Sequence, residues 1–353
     1  MYVFSLPVSK SIANRLLVLQ AMHGDPLTGV SDASIPEDVR LLHDALEAID
    51  DAHRKDCPSM LRLDLGNCGT AMRFLTAYCA QVPMTFVLDG EQRMRERPIG
   101  QEVNALRQIG ADIAYLEKEG FPPLRIKGRE LEKRVVRMES DSEAFLQSTQ
   151  FVSALLLTGI EVETEEQSPY IAMTRRMIRE YEASNGNVAT ERDWSSAAFW
   201  YEYVALHGGE IFLEGLQPSS MQGDQCAADI FAQLGVQTTY VCKPQRGVLL
   251  TKDPSFVLPK TLSVDFSGCP DFYPAIAITC EQLGIRLDAQ GTERLPLKES
   301  NRLLSVKEHE THHDHRVAMA LLAADLPCDD TACIAKSYPL FVSQLSELQH
   351  TGE

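Results

Sequence analysis

The sequence has few basic residues for its length. It contains 33 Lys and Arg against 50 Asp and Glu in 353 residues, which gives a net charge of −17. This excess of negative charge argues against nucleic acid or an anionic membrane surface as the main partner, because both repel it. It also means that any site for an anion must concentrate basic residues locally.

The cysteine spacing and the apolar runs exclude several protein classes. The nine cysteines form no CxxC pair and show no metal-ligand spacing, and Cys79 and Cys280 lie in apolar runs that suit buried, reduced thiols. No apolar run is long enough to span a bilayer, and no signal peptide is recognisable. We therefore expect a cytoplasmic protein of about two domains without a disulfide framework.

Six helix-like segments each begin with a small or polar cluster that suits an anion. These clusters are Ser9-Lys10-Ser11, Asn67–Thr70, Ser148–Gln150, Asp193–Ser196, Pro270-Asp271 and Asp314–Arg316. The first turn of a helix leaves N–H groups unpaired and carries about half a positive charge, so it attracts anions. Six such starts, with Lys10, Arg15, Arg73 and Arg316 at or near them, predict a repeated architecture around a multiply charged anionic ligand.

Short strand-like stretches alternate with these helices. They are Tyr2–Leu6, Leu61–Leu65, Thr85–Asp89, Leu124–Ile126, Val135–Met138, Glu210–Leu213, Gly247–Thr251 and Leu262–Asp265. A helix, a Gly stop and a strand follow one another over Gln101–Asp112, and the pattern recurs at Ala227–Val236, which indicates two halves of one design. The alternation predicts an α/β class with two similar domains, a boundary near Ala183–Glu191 and a cleft between the domains.

Two motifs near the N-terminus combine basic residues with groups that permit close approach. Lys10, Ser11 and Arg15 at one helix start suit phosphate or carboxylate, although an N-cap with solvated basic residues also explains them. Gly69 lets a ligand approach the backbone closely, or it only shapes a turn.

A third motif contains Arg93, Arg95 and Arg97 at alternate positions. An extended segment would point these three side chains the same way, and a solvated charged loop is the alternative.

Further cations stand in the C-terminal third of the chain. Lys298 and Arg302 are four residues apart, which predicts one helix face, with Glu299 beside them. A carboxylate held among cations suits proton transfer beside a bound anion, although a surface ion-pair helix fits the pattern as well. Arg316 and Lys336 each place a cation next to an apolar element.

One motif matches the letters of a zinc-binding pattern but not its expected helical context. His309-Glu310-Thr311-His312-His313 fits H-E-x-x-H, which requires a helix to bring both outer histidines to one metal ion. The segment is polar on every side and is therefore predicted to be a loop. Adventitious metal binding to His309, His312, His313 and His315 is the most that we expect.

The order of these motifs resembles the EPSP synthase (3-phosphoshikimate 1-carboxyvinyltransferase) family of enolpyruvyl transferases, from Leu6 to about Leu345. The motifs are SKS…R, LGNxGTAMR, GxxRMxERPIG, SxQ, PYI, DxSSA, PD, KES-R, DHRxAMA and AKSYP. The resemblance implies two similar α/β domains, each of three repeated βαβαββ-type units in an inside-out barrel. The N-terminal domain would cover residues 9–189, and the C-terminal domain residues 1–8 and 190–353.

The resemblance also implies an activity. The enolpyruvyl group of phosphoenolpyruvate would be transferred to the 5-hydroxyl of shikimate 3-phosphate, releasing phosphate, in chorismate and aromatic amino-acid biosynthesis. It implies no metal and no organic cofactor, and we expect a monomer. Two alternatives remain: a transferase acting on UDP-N-acetylglucosamine and a catalytically dead anion-binding relative. Ser11, Arg15 and the KES–Arg group favour the transferase acting on shikimate 3-phosphate over the one acting on UDP-N-acetylglucosamine.

Site residues follow from the resemblance. Asp271 would be the base that takes the hydroxyl proton, and Glu299 with Lys10 would move protons at the methylene carbon. Phosphoenolpyruvate would be held by Lys10, Gly69, Arg97, Gln150, Arg302, Arg316 and Lys336. Shikimate 3-phosphate would be held by Lys10, Ser11, Arg15, Ser148, Thr149, Gln150, Tyr170, Asp271 and Lys298.

The sequence departs from the family pattern at several points. Gln167, Arg294, Thr149 and Asn301 replace residues common in the family, and the first two weaken the shikimate-side assignment. The segments after Ile178, Arg302 and Leu322 are short. Either loops are deleted or residues are absent from the sequence, and we expect the second, because a deletion inside an α/β unit would expose a sheet edge.

Overall fold

The structure, a computed structural model, describes residues 1–28, 34–55, 60–131, 135–138, 149–164 and 168–349. Its strands are β1 (Tyr2–Ser5), β2 (Leu61–Asp64), β3 (Thr85–Asp89), β4 (Asp112–Tyr115), β5 (Leu124–Lys127), β6 (Val135–Arg137), β7 (Glu161–Glu163), β8 (Glu210–Glu214), β9 (Val236–Val241), β10 (Gly247–Lys252), β11 (Thr261–Asp265) and β12 (Arg286–Gln290). Its helices are α1 (Lys10–His23), α2 (Glu37–Arg54), α3 (Gly69–Cys79), α4 (Gln92–Arg95), α5 (Gly100–Gln108), α6 (Thr149–Leu157), α7 (Pro169–Ala183), α8 (Trp194–His207), α9 (Ala227–Ala232), α10 (Tyr273–Gln282), α11 (Arg302–Glu308), α12 (His315–Ala323) and α13 (Phe341–Gln349). The mixture confirms the expected α/β class.

The chain divides into two compact units. The terminal unit, which holds both chain ends, contains Met1–Ile12, Asp32–Glu37 and Thr190–Glu353. The central unit contains Ala13–Ser31 and Asp38–Ala189. The predicted domains differ from these units by a few residues at the start of α1 and before α2.

Each unit contains a four-stranded sheet of the same topology. The strand order is β2-β3-β5-β4 in the central unit and β1-β8-β10-β9 in the terminal unit. In both sheets the first two strands are parallel and the remaining neighbours are antiparallel. The repetition confirms the prediction that the two halves share one design.

A parallel two-stranded sheet accompanies each larger sheet. β6 pairs with β7 in the central unit, and β11 pairs with β12 in the terminal unit. Parallel neighbours need a crossover connection, and α6 and α10 supply these two crossovers. Sequence reasoning missed β7 and β12, both of which are short and polar along one face.

Each unit contains one helix that is buried on nearly every side. Every residue of α3 except Thr70 is buried, and α8 is buried from Trp194 through Glu202. The strand β11, by contrast, alternates exposed and buried residues. A helix that is apolar all round is stable only inside a core, so these sequences favour a barrel with its helices inside.

One buried acid in this core carries a pH dependence. Glu202 in α8 is fully buried, and neither carboxylate oxygen has a hydrogen-bond partner among the described residues. Burial raises the pKa of Glu202 well above its usual value. Folding therefore holds a proton on this side chain that the unfolded chain releases above a pKa of about 4.3.

We expect Glu202→Gln to become increasingly stable relative to wild type as pH rises from 5 to 7. The pKa of Glu202 is higher in the folded than in the unfolded chain, so its contribution to the free energy of unfolding is complete below the unfolded pKa. Above that value, the wild type loses about 1.4 kcal/mol of stability per pH unit until the pH reaches the folded pKa. Urea unfolding across this pH range measures the difference. The exposed Glu210→Gln is the control, and equal pH slopes in the two variants would contradict the prediction.

The chain is continuous through the three segments that are shorter than the family pattern, those after Ile178, Arg302 and Leu322. The helix α7 passes through Ile178, and α12 continues through Leu322. Between α11 and α12 the chain turns within a loop in which His309, His312 and His313 have φ angles of 55°, 46° and 61°. The described chain from α11 to α13 contains no strand. The expectation that residues are absent from the sequence stays a prediction.

The left-handed conformation of His309 after α11 predicts which of two substitutions there is better tolerated. His309 is the left-handed C-cap of α11, a position that glycine adopts without a steric penalty. We expect His309→Gly to be about 1 kcal/mol more stable than His309→Ala, because both lose the ring but only alanine keeps the strain. Urea midpoints of the two variants give the difference, and equal midpoints would show that the backbone is unstrained.

Candidate active site

Arg302 lies at the centre of an ionic cluster in the terminal unit. Its side chain is 1% exposed, and each guanidinium nitrogen donates to a carboxylate. Nε donates to Asp314 at 2.8 Å, Nη1 to Asp271 at 2.6 Å and Nη2 to Glu299 at 2.9 Å. The planar guanidinium thereby holds three carboxylates in one fixed arrangement, whereas the three donors of a lysine ammonium group rotate freely.

Asp271 receives three cations. Besides Arg302, Arg316 Nη2 lies 3.0 Å from Oδ2 and Lys298 Nζ lies 3.4 Å from Oδ1. Burial raises the pKa of Asp271, but Arg316, Lys298 and Arg302 outweigh it and hold the pKa well below its usual value. Asp271 is therefore an ionised carboxylate whose basicity is restrained by its neighbours.

Local capping positions these groups. Asp271 lies in a 3₁₀ turn, Pro270–Phe272, that precedes α10. The side chain of Asn301 caps α11 by accepting from Leu304 N, so that Arg302 begins the helix. The other N-cap, Asp314, accepts from Arg316 N at 3.0 Å while its second oxygen binds Arg302. One buried carboxylate thus orients both arginines.

The prediction that Lys298 and Arg302 share a helix face is wrong. Lys298 follows a 3₁₀ turn, Leu295–Leu297, and α11 begins only at Arg302. The two cations converge because both bind Asp271, which the spacing of four residues could not reveal. Burial lowers the pKa of Lys298, and Asp271 partly offsets this effect.

Arg316 is bordered by a second set of buried acids that sequence reasoning missed as site residues. Its Nη1 is buried and has no hydrogen-bond partner among the described residues. Asp224 accepts from Ser195 Oγ at 2.7 Å, and burial followed by the charge of Asp271 raises the pKa of Asp224 to about 7. Asp193 caps α8 through Ser195 N. The N-cap pattern in the sequence indicated Asp193, but nothing local indicated Asp224.

The terminal unit also contains His315, Lys10 and Lys336, which the sequence analysis had named. His315 is fully buried, and burial, Lys10 and Arg316 lower its pKa well below the usual value, so the ring is neutral. Lys10 begins α1, and Ser11, in its first turn, is half-buried. Lys336, at the end of a 3₁₀ turn, donates from Nζ to the His313 carbonyl at 3.5 Å.

In the central unit, two guanidinium groups surround the backbone of Gly69. Arg97 is 5% exposed, and its Nη1 donates to the carbonyl and side-chain oxygens of Asn67 at 3.1 and 3.3 Å. Arg73 Nη1 donates to the Gly69 carbonyl at 2.9 Å. The acceptors of these hydrogen bonds are neutral, and Arg73 also interacts electrostatically with the buried carboxyl group of Glu102. Together with the N-terminus of α3, the two arginines form a candidate anion site.

The absence of a side chain at Gly69 leaves room for two guanidinium groups. A Cβ there would overlap Nη1 of Arg73 and Nη2 of Arg97, so any larger residue must displace a buried guanidinium group. The sequence had left open whether Gly69 permits ligand approach or only shapes a turn. The geometry shows a close approach of side chains to the backbone at this position.

Among the residues predicted to bind shikimate 3-phosphate, Arg15 and Tyr170 contact each other in the central unit. Arg15 is 2% exposed and donates to Thr174 Oγ1 at 2.7 Å, to Ser153 Oγ at 3.2 Å and to the Tyr170 carbonyl at 3.4 Å. Burial lowers its pKa to about 10, against the opposing effect of Tyr170, which leaves it charged at neutral pH.

The N-termini of α3 and α6 meet beside this group. Gln150 Nε2 donates to Thr70 Oγ1 at 3.0 Å, and the neighbouring Thr149 is buried. Ser148 and Gln167 lie outside the described residues.

The prediction that Arg93, Arg95 and Arg97 point the same way is wrong. The first two lie in the short helix α4, not in an extended segment. Arg93 Nη1 lies 3.4 Å from Glu96, and Arg95 binds Asp89 at 2.9 Å. Only Arg97 turns inward to Asn67.

Neither metal nor membrane features coincide with these clusters. Among the described residues, the groups whose ligand atoms converge are His43, Asp44 and Glu47, and Glu308, Glu310 and His312. The H-E-x-x-H segment is a loop after α11, as predicted, and its histidines do not converge on one point. The eight described cysteines are free thiols. Within the described residues, no helix combines the length and apolarity needed to cross a membrane.

Comparison with known proteins decides the family. A family model described as EPSP synthase (3-phosphoshikimate 1-carboxyvinyltransferase) matches residues 3–309. The chain belongs to the EPSP synthase family. A 3-phosphoshikimate 1-carboxyvinyltransferase of Bacteroides fragilis (strain YCH46) is 31% identical, with 96% of this chain and 93% of the relative covered. That of Colwellia psychrerythraea is 30% identical, with 97% and 96% covered.

Solved EPSP synthase structures have the same fold. EPSP synthase from Acinetobacter baumannii superposes with a TM-score of 0.65 at 20% identity, covering 98% of this chain and 95% of that one. The alignment with the Bacteroides fragilis relative spans 405 positions, which exceeds the 353 residues of this chain. The alignment must therefore contain gaps in this chain, as the short segments in its sequence led us to expect.

Proposed function

We propose that this chain transfers the enolpyruvyl group of phosphoenolpyruvate to the 5-hydroxyl of shikimate 3-phosphate and releases phosphate. Membership of the EPSP synthase family supports the reaction. The observation that carries the proposal is the fixation of Asp271 and Glu299 by one buried guanidinium, that of Arg302, at 2.6 and 2.9 Å. Two carboxylates held apart beside fixed cations suit an acid–base reaction on anionic substrates.

Asp271 is proposed to accept the proton of the attacking hydroxyl. In the ligand-free arrangement, Arg316, Lys298 and Arg302 keep its pKa low, which makes it a weak base. Substrate phosphate and carboxylate groups bring negative charge to the same cations. Their binding therefore offsets the downward shift and strengthens the base when the hydroxyl is present.

Glu299 and Lys10 are proposed to serve the methylene carbon of phosphoenolpyruvate. Addition of the hydroxyl requires a proton at that carbon, and elimination of phosphate requires its removal again. Glu299 is held by Arg302 Nη2, so that it remains close to the cations that bind the substrate's negative groups. The same residue can give and then take back the proton.

The basic residues of each unit are proposed to hold the anionic groups. In the terminal unit, Lys10, Lys298, Arg302, Arg316 and Lys336 supply positive charge. In the central unit, Gly69, Arg97 and Gln150 are assigned to phosphoenolpyruvate. Ser11, Arg15, Ser148, Thr149, Gln150 and Tyr170, together with Lys10, Asp271 and Lys298, are assigned to shikimate 3-phosphate. Fixed donors of this kind stabilise developing charge without reorganisation during the reaction.

A substitution at Gly69 tests the phosphoenolpyruvate assignment. We expect Gly69→Ala to raise the KM for phosphoenolpyruvate by about tenfold or more, since a displaced guanidinium loses charge-assisted hydrogen bonds to the ligand. The KM for shikimate 3-phosphate should change much less. Asp112→Ala, which changes an exposed residue of β4 in the same unit, is the control. Equal changes in both KM values would count against the assignment.

Phosphate release on mixing the purified chain with both substrates tests the function. We expect release that requires phosphoenolpyruvate and shikimate 3-phosphate together, with a product whose mass equals their sum less phosphoric acid. Release with UDP-N-acetylglucosamine instead would indicate the sibling transferase. Binding of both substrates without turnover would indicate a catalytically inactive relative.

A further inference from the structure

Two cysteine side chains of the terminal unit meet beside the ionic cluster of Arg302. Cys226 is half-buried and ends the 3₁₀ turn Gly223–Cys226, whereas Cys269 is buried and directly precedes the 3₁₀ turn Pro270–Phe272. The two thiols are hydrogen-bonded to each other, and both side chains pack in the same apolar core. The strands β9, β10 and β11 separate them along the chain, so no local spacing could indicate this pair.

The two turns that hold these thiols also hold carboxylates of the candidate site. Asp224 stands two residues before Cys226, and Asp271 stands two residues after Cys269. The charge of Asp271 contributes to the raised pKa of the buried Asp224, which shows that the two turns face each other. The Cys269 carbonyl accepts from Phe272 N at 3.0 Å and so belongs to the turn that positions Asp271. A change in the distance between the thiols is therefore transmitted to Asp271.

A metal ion does not explain the pair. Structural metal sites with thiolate ligands use four ligands as a rule. Among the described residues, neither thiol belongs to a group of three or more converging ligand atoms. The other polar contact of Cys269 runs from Sγ to the Asp265 carbonyl oxygen at 3.7 Å. The pair therefore offers the chemistry of two adjacent thiols, which is the formation of a disulfide.

The surroundings of the two thiols set the order in which they react. The hydrogen bond to Cys226, followed by burial, raises the pKa of Cys269, so this thiol stays protonated and is a poor first nucleophile. Cys226 is less buried and is the thiol that a small oxidant can reach. Once Cys226 has reacted, it carries no thiolate to accept that hydrogen bond, so the largest cause of the raised pKa is lost. Cys269 can then react second.

We propose that Cys226 and Cys269 form a reversible disulfide by exchange with a low-molecular-weight disulfide such as oxidised glutathione. The Cys226 thiolate attacks one sulfur of the oxidant, breaks its S–S bond and releases one thiolate, which takes up a proton. Cys269 then loses its proton to solvent and attacks Cys226 Sγ, which displaces the second small thiol. Two protein thiols are oxidised while one small disulfide is reduced to two thiols, so the electrons balance.

The disulfide should lower the catalytic rate, a consequence that rests on the proposed function of Asp271. The sulfur atoms of a disulfide are about 2.05 Å apart, closer than two thiols in contact, so its formation draws the two turns together. Displacement of a catalytic group by about 1 Å can reduce a rate by about 100-fold. We expect oxidation to reduce kcat for phosphate release by about 10- to 100-fold and dithiothreitol to restore it.

Incubation of the reduced full-length chain with oxidised glutathione, followed by peptide mapping without reductant, tests the pair. We expect two peptides linked through Cys226 and Cys269, with a mass two hydrogens below the sum of the reduced peptides. Cys226→Ser should lack this species, should have the activity of the reduced wild type and should keep it in the oxidant. The control Cys242→Ser, at an exposed cysteine of the same unit, should behave like the wild type.

The possible results separate this proposal from the proposed function. Absence of the linked peptides, or glutathione that stays on Cys226, would overturn the disulfide even where the reduced chain is active. Linked peptides from a chain that is inactive when reduced would support the disulfide and count against the function. Linked peptides with an unchanged kcat would contradict the coupling to Asp271.

Discussion

Asp271→Asn should reduce kcat for phosphate release by about 10²- to 10⁴-fold, the range expected for loss of a general base. An amide keeps the shape of the carboxyl group but cannot take the hydroxyl proton. Binding of the two anionic substrates should weaken far less, because Arg302, Arg316 and Lys298 remain in place. Steady-state kinetics with a coupled phosphate assay measure both quantities.

The control for this variant is Asp288→Asn, which changes an exposed aspartate of β12 in the same unit. It should retain full activity. The pH profile of activity adds an independent readout. The pKa of Asp271 is lowered, so we expect its protonation to reduce the wild-type activity only at low pH. The residual activity of Asp271→Asn should not show this decrease. A variant with near-normal kcat would assign the base to another residue.

Arg302→Leu should destabilise the terminal unit by about 3–5 kcal/mol at neutral pH, the range for breaking a buried ion pair by removing one partner. Three carboxylates lose their shared cation, and Asp314 is fully buried. Burial alone lowers the pKa of Arg302, but Asp314, Asp271 and Glu299 raise it above its usual value, which indicates a net attractive site. Guanidinium unfolding gives the free-energy difference.

The deficit of Arg302→Leu should shrink as the pH falls. In wild type, the lowered pKa of Asp271 gives stability that is present above the unfolded value of about 3.9 and is lost as pH falls through the folded value. Without Arg302 the carboxylates take up protons more readily, so acid harms the variant less. Arg286→Leu, an exposed arginine on β12, should stay within about 0.5 kcal/mol of wild type. A pH-independent deficit would indicate lost packing, not lost charge pairing.

Helix starts were the most predictable features of this chain. Five of the six predicted clusters contain a helix start, at Lys10, Gly69, Thr149, Trp194 and His315, and the sixth precedes α10. The sequence analysis did not indicate α2 and α7, the two longest helices of the described residues. Capping depends on a few adjacent residues, so local chemistry is sufficient to locate it. Strands with an apolar face were also found, whereas β7 and β12, which are short and largely polar, were missed.

The errors arose where spacing was used in place of conformation. A spacing of four placed Lys298 and Arg302 on one helix, but the chain there is a 3₁₀ turn followed by a helix start. Alternation placed Arg93 and Arg95 on an extended segment, but that segment is helical. Periodicity constrains side-chain direction only after the backbone state is known.

By itself, the sequence determined the α/β class and the repeated design, and it indicated the residue types that we propose to bind anions, because hydrophobic period, capping and motif order are local properties. The tertiary structure decided which charges pair. Arg302 meets Asp314 from 12 positions away and Asp271 from 31 positions away, and Asp224 meets Ser195 across 29. Such pairing sets the pKa of Asp271 and of Asp224, since electrostatic shifts depend on distance and burial, which folding alone establishes.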